Sequence, residues 1–202
     1  MVFVIEDDFT GVERVLANIR DILGIAKKRG EINSEDMGEV TINVLHIINC
    51  NEESEESIFS QVKERLNAER DFQLVYNYRP INIDKDRYPE RIEEGKEKIC
   101  STIDELSDNA AYVIMLDVVL VKEKDYDAIG QGLILSQRLY ENYRATCIPY
   151  TNYRGDEVLF RRNWEKGVDF NSRMFERADL KPSCINLDLS KRLLEQLHVG
   201  EN

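Results

Sequence analysis

Short apolar runs alternate with amphipathic stretches along most of the chain. The runs have strand length and are rich in β-branched residues, which predicts strands at residues 2–5, 40–49, 72–78, 111–116 and 145–150. Apolar residues at helical spacing predict helices over 9–30, after the acidic stretch 52–56, within 88–107 and from about residue 125 to 143. This alternation predicts an α/β fold, in which helices cover both faces of a mostly parallel sheet.

The first two predicted helices each have one apolar face. It consists of Val12, Val15, Leu16, Ile19 and Leu23 in the first helix and of Ile58, Phe59, Val62 and Leu66 in the second. The third helix contains Ile92, Lys96, Ile99, Ile103 and Leu106. Gly30 is a stop signal for the first helix, and Pro80 is expected to close the third strand.

Beyond residue 150 the pattern weakens. Residues 168–187 favour neither helix nor strand, whereas 189–199 predict a last helix. The length of 202 residues suits one domain, residues 1–202, with one sizeable core.

Charge and cysteine content narrow the function classes. The formal charge of -12 opposes non-specific binding to nucleic acid or anionic membranes. The four cysteines lie far apart with no C-x-x-C pair, which fits neither a zinc cluster nor a disulfide framework and suits a reducing cytoplasm. The N-terminus turns acidic after five residues and has no basic leader, and no apolar run reaches the length of a membrane span. We therefore expect a soluble cytoplasmic protein.

Carboxylates follow two of the predicted strands. Asp7 and Asp8 follow the first strand, Asp117 interrupts the apolar run at the end of the fourth, and Thr151 follows the fifth. Ligands of open parallel sheets bind beyond the carboxyl ends of the strands. If the first and fourth strands are neighbours, the three carboxylates converge, and their mutual repulsion calls for a cation such as Mg²⁺.

An acidic pair after the first strand, an aspartate after a later strand and a threonine after the next one occur in the same order in a known family. The sequence thus resembles a response-regulator receiver domain of two-component signalling, which has a flavodoxin-like topology. The resemblance implies that Asp117 accepts a phosphoryl group and that Asp7, Asp8, Asp117 and the backbone carbonyl of Val119 bind Mg²⁺. It also implies that Thr151, and Lys181 with Pro182 in "ADLKPS", contact the phosphoryl group.

The chain departs from the receiver pattern in two places. Asp8 and Asp117 are separated by enough chain for an extra strand-helix unit of roughly 30 residues, inserted somewhere within 31–108 as either 40–70 or 72–108. The segment 171–180, where the last strand of a receiver is expected, is mostly polar and charged. The switch aromatic that often precedes the lysine in receivers would be replaced by Phe175, because Ala178 is not aromatic.

Plainer interpretations of the same residues stay open. Asp7 and Asp8 could simply cap the first helix, and Asp117 could be a loop carboxylate. Thr151 could belong to an ordinary turn, and Lys181 could be a solvated lysine in a loop. His46, inside an apolar strand, is most simply a hydrogen-bonded core histidine. The G-x-G at Gly130 and Gly132 lacks the dinucleotide spacing.

The resemblance predicts a phosphorelay protein with a histidine kinase or phosphotransfer protein upstream and a protein partner downstream, and a homodimer is compatible with this role. The alternative is a receiver-like scaffold that no longer takes phosphate. A magnesium-dependent phosphohydrolase is disfavoured, because the usual Asp-x-Asp motif has valine at position 119. The 202 residues contain no recognisable output domain, so we expect either action through a partner or a longer parent protein.

Overall fold

The computed structural model describes residues 1–30, 32, 39–49, 56–67, 74–83, 90–107, 113–117, 135, 146–151 and 175–176. The strands are β1 (Val2–Glu6), β2 (Val40–Asn49), β3 (Leu74–Ile83), β4 (Val113–Asp117), β5 (Thr146–Thr151) and β6 (Phe175–Glu176). The helices are α1 (Phe9–Lys28), α2 (Glu56–Asn67) and α3 (Glu90–Ser107).

All described strand pairs are parallel, and the order across the sheet is β3-β2-β1-β4-β5-β6. The chain moves outward from β1 to β3 and then returns to pair β4 with the other side of β1. The strand order therefore reverses between β1 and β4. The predicted α/β fold with a parallel sheet is confirmed.

The described helices cover both faces of the sheet. Side chains of α1 and α2 belong to one buried cluster with Val2 and Val4 of β1, on a surface that we call the α1 face. Side chains of α3 pack with Phe3 and Ile5, on the opposite surface, which we call the α3 face. Successive strand residues point to opposite faces, so each face receives alternate residues of β1.

The first predicted helix is confirmed with its buried face and its end. Val12, Val15, Leu16, Ile19 and Leu23 are all buried. Gly30 has φ +69°, a left-handed conformation that glycine adopts without strain just after a helix.

Two details of the sequence prediction are wrong. Ile58 of α2 is 43% exposed, and Phe59, Val62 and Leu66 alone form the buried stripe, because Ile58 lies one position off the helical period of the other three. The third strand continues through Pro80 to Ile83 instead of ending near residue 78. β3 is an edge strand of the described sheet, where the missing proline N–H can face away from the neighbouring strand.

The remaining predictions divide between described and undescribed parts. The strands at 111–116 and 145–150 appear as β4 and β5, and the polar segment near residue 175 contributes the two-residue β6. The predicted helices at 125–143, apart from the buried Leu135, and at 189–199 lie outside the described residues. Within the described part of the chain, no helix is both long and apolar enough to cross a membrane.

Candidate functional site

The connection between β1 and α1 consists of Asp7 and Asp8 alone. Both carboxylates are only partly exposed, and the Oδ1 atom of Asp7 is buried. The pair lies at the carboxyl end of a central strand, beside the point where the strand order reverses. In open α/β sheets this position is where ligands bind.

Asp8 is the N-cap of α1. Its backbone is extended (φ -123°, ψ 117°), and its Oδ1 accepts a 3.2 Å hydrogen bond from the backbone N–H of Thr10. Its carbonyl oxygen accepts the first helical bond, from the N–H of Val12 at 3.1 Å. The capping interpretation of Asp8 is therefore confirmed.

Glu6 is a third carboxylate at this site, and the sequence analysis gave it no role. It ends β1, is fully buried, and its Oε1 accepts the backbone N–H groups of Asp7 and Asp8, each at 3.2 Å. Its Oε2 lies against Gly11 so closely that a Cβ on Gly11 would be 2.2 Å from it. Glu6 therefore fills the space between β1 and the first turn of α1.

β4 places Asp117 next to the acidic pair along the sheet. β1 pairs with β4, with Ile5 opposite Leu116, so the backbone of Asp117 is level with Glu6. The adjacency on which the predicted convergence depended is present. On the next strand, Tyr150 lies opposite Asp117 and Thr151 ends β5.

Two predicted site residues, Asp117 and Thr151, are described in their backbone but not in their side chains. Two others, Val119 and Lys181, lie outside the described residues. Among the described side chains, no three His, Cys, Asp or Glu residues are grouped around a point that would hold a metal ion. Asp7 and Asp8 nevertheless offer only oxygen donors, and Mg²⁺ typically takes one or two carboxylates and keeps several waters. The donor chemistry thus fits Mg²⁺.

A second polar group lies beside the acidic pair, inside the α1 face. His46 of β2 is buried, and its Nδ1 is 2.8 Å from the hydroxyl of Tyr78. Phe9 meets the His46 ring edge-on at 5.8 Å between centroids, and Phe59 stacks on Tyr78 at 4.9 Å. The interpretation of His46 as a hydrogen-bonded core histidine is confirmed, but its position beside the β1–α1 connection was not predicted.

The pattern that could have revealed both residues is the strand alternation itself. Val2, Val4 and Glu6 share one face of β1, while Ile42, Val44 and His46 share the same face of β2. On each strand, two apolar residues on this face are followed by a polar one, and the two polar residues, Glu6 and His46, lie at the same level of the sheet.

The fold and site together define a doubly wound α/β domain with an acidic strand end at its switch point. No protein-family model, curated protein or solved structure matches the chain. The strand order is also that of dinucleotide-binding sheets, which bind pyrophosphate at the start of the first helix through a glycine-rich turn. Here that position carries Asp7 and Asp8, with the Glu6 carboxylate against Gly11. Negative charge at this place disfavours direct phosphate binding.

Proposed function

We propose that this chain is a phosphoacceptor receiver domain, in which Asp117 accepts a phosphoryl group beside Mg²⁺ held at Asp7 and Asp8. The observation that carries the proposal is the pairing of β1 with β4, which brings the acidic pair and the backbone of Asp117 to the same edge of the sheet. Acidic residues on adjacent strand ends suit a divalent cation and the phosphate chemistry that such a cation supports.

The topology supports a flavodoxin-like arrangement with an added unit. Without the edge strand β3, the order is β2-β1-β4-β5-β6, which corresponds to the flavodoxin-like order 2-1-3-4-5. In this interpretation α2 and β3 are the added unit, and α3 is the crossover that returns the chain to β4 on the opposite face from α1. Phe175 in β6 would then occupy the strand that precedes Lys181.

The proposed reaction is a single phosphoryl transfer. A carboxylate oxygen of Asp117 forms a bond to phosphorus while the bond from phosphorus to the donor breaks. The donor is the histidine of a kinase or phosphotransfer protein, or a small acyl phosphate, and it leaves with the bonding electron pair. Mg²⁺ would neutralise charge on the transferring group. Thr151 and Lys181 would contact the phosphoryl oxygens, and the resulting rearrangement would be read by a downstream protein.

Intact-mass spectrometry after incubation with acetyl phosphate and Mg²⁺ tests the proposal. We expect one phosphoryl adduct that requires the metal, disappears with a chelator and is lost in Asp117→Asn. Asp104→Asn is a matched control, because Asp104 lies on the exposed side of α3. Circular dichroism of both variants shows whether they are folded.

Undiminished incorporation in folded Asp117→Asn would refute the assignment of the acceptor. A folded wild-type protein that takes neither phosphoryl group nor beryllofluoride, and that binds no Mg²⁺, would refute the receiver proposal and favour the scaffold alternative.

A further inference from the structure

Glu6 and His46 occupy matching positions at the carboxyl ends of neighbouring strands. They are opposite each other in the register of β1 and β2, and both are buried on the α1 face. Neighbouring strands lie about 4.8 Å apart, so the two side chains leave the sheet next to each other. A buried carboxylate is costly unless hydrogen-bond donors surround it. The imidazole is the side chain that the register places beside this carboxylate.

The Tyr78 hydroxyl can either donate to Nδ1 of His46 or accept from it, and the relay proposed below uses the form in which it donates. The Tyr78 hydroxyl, 2.8 Å away, can donate its proton to Nδ1. In a neutral imidazole, accepting a hydrogen bond at Nδ1 puts the ring proton on Nε2. The edge-on contact with Phe9 further restrains the ring. In this form the one N–H donor of the His46 ring is Nε2–H, on the side of the ring away from Nδ1 and Tyr78.

Glu6 in turn is bound to the backbone of the acidic pair. Both backbone N–H groups, of Asp7 and of Asp8, donate to the same oxygen, Oε1. The other oxygen, Oε2, is held against the Cα of Gly11. Any displacement of the Glu6 carboxylate therefore changes the conformation of both acidic residues at once.

We propose that Tyr78, His46 and Glu6 form a buried hydrogen-bonded relay that positions Asp7 and Asp8 for Mg²⁺. In this relay the Tyr78 hydroxyl donates to Nδ1 of His46, the Nε2–H of His46 donates to the Glu6 carboxylate, and Glu6 accepts the backbone N–H groups of the loop. The role in metal binding rests on the proposed receiver function. All three are positioning residues, because none of them contacts the metal. Partners of this kind typically contribute a factor of about 10 to 100 in metal affinity.

The test compares His46→Leu, His46→Gln and Tyr78→Phe with the wild type. Two quantities are measured: hydrogen exchange of the Asp7 and Asp8 amides by NMR, and the Mg²⁺ dissociation constant by calorimetry. We expect His46→Leu to accelerate exchange of these two amides selectively and to weaken Mg²⁺ binding about 10- to 100-fold. His46→Gln should recover most of both, because its amide N–H can replace the Nε2 donor. Tyr78→Phe should have a smaller effect in the same direction.

Tyr76→Phe is the matched control, since Tyr76 is the tyrosine two residues earlier on the same face of β3 and should change neither quantity. Unchanged exchange of the two amides in folded His46→Leu would overturn the relay. An equal rise in exchange throughout α1 in both His46 variants would also overturn it, because that pattern indicates general destabilisation. If the wild type binds no Mg²⁺, the receiver proposal fails, while the selective exchange of Asp7 and Asp8 still decides whether the relay exists.

Discussion

The two faces of the sheet differ most at the carboxyl ends of the strands. On the α3 face the apolar side chains continue to that edge, with Ile5 on β1, Ile47 on β2 and Leu116 on β4 all buried. On the α1 face the residues adjacent to Ile5 and Ile47 in β1 and β2 are Glu6 and His46. On β1 and β2, therefore, the side chains named at this edge are apolar on the α3 face and polar on the α1 face.

This difference is confined to the carboxyl edge, because away from it both faces are packed with buried apolar side chains. Burial of aliphatic side chains is favourable without any partner, whereas buried carboxylate and imidazole groups need directed hydrogen bonds to offset desolvation. Hydrophobic packing alone would favour apolar residues at Glu6 and His46. At these two positions the hydrogen bonds of Glu6 to the backbone of Asp7 and Asp8, and of His46 to Tyr78, offset the desolvation instead.

The largest expected effect comes from the α3 face. Ile103 of α3 is fully buried in the hydrophobic cluster on this face. Ile103→Ala should therefore lower the free energy of unfolding by about 2–5 kcal/mol, through lost burial and the cavity left behind. Urea denaturation measures the change, and exposed Glu105→Ala on the same helix should change it by less than about 0.5 kcal/mol. The NMR shifts of the Asp7 and Asp8 amides should stay unchanged in folded Ile103→Ala. A shift of these amides would show that the two faces are coupled.

The next effect comes from two glycines of α1 with opposite surroundings. A Cβ on Gly11 would overlap Oε2 of Glu6, whereas a Cβ on Gly24 would meet nothing within 4 Å. Gly11→Ala should therefore destabilise by about 1–3 kcal/mol through overpacking. Gly24→Ala should stabilise by about 0.5–1 kcal/mol, because alanine is the better helix former. Thermal and urea denaturation of both variants measures the difference.

A double-mutant cycle assigns the cost at Gly11 to Glu6. In a Glu6→Ala background, Gly11→Ala should lose most of its penalty, since the obstructing carboxylate is gone. If Gly11→Ala stabilised the wild type as Gly24→Ala does, the tight contact between Glu6 and α1 would be contradicted.

A smaller effect separates the two roles given to Asp8. Asp8→Ala removes the acceptor for the Thr10 N–H and should cost about 1 kcal/mol of stability. Asp8→Asn keeps a capping oxygen and should leave stability close to the wild type, but it removes a charge from the proposed Mg²⁺ site and should weaken metal binding. Denaturation and calorimetry on the two variants measure stability and affinity separately. Equal Mg²⁺ affinity in wild type and Asp8→Asn would exclude Asp8 as a ligand.

Most of the sheet and the described helices could be predicted from the sequence, because their patterns are local. Alternating β-branched residues gave β2 its bounds at Val40–Asn49, and the helical stripe from Val12 to Leu23 identified α1. Pro80 was misjudged because its effect depends on whether β3 lies at the edge, which no local pattern contains. The same limit applied to the site. Asp7 and Asp8 stand out at a strand end, but the roles of Glu6 and His46 depend on the register between β1 and β2.

The smallest expected effect near neutral pH is that of Tyr76→Phe, which tests whether a buried hydroxyl on the α1 face without a hydrogen-bond partner among the described residues contributes to stability. Tyr76 and Tyr78 lie on the same face of β3, yet among the described residues only the Tyr78 hydroxyl has a hydrogen-bond partner, whereas the buried Tyr76 hydroxyl has none. Removing the latter should change stability by no more than about 0.5 kcal/mol, because loss of a few contacts offsets relief of an unpaired buried hydroxyl.

In alkaline solution the same substitution should become favourable. Burial raises the pKa of Tyr76 from 10.0 to about 12, with Arg20 opposing part of the rise. A raised pKa means that the unfolded chain releases this proton first, so wild-type stability should fall as pH increases from about 10 to about 12. Tyr76→Phe lacks this loss, and the difference in unfolding free energy between the two proteins should shift toward the variant over that interval. Urea denaturation at several alkaline pH values measures it. A difference that stays constant across the interval would show that the Tyr76 hydroxyl ionises equally easily in the folded and unfolded protein, and therefore that it is not shielded on the α1 face.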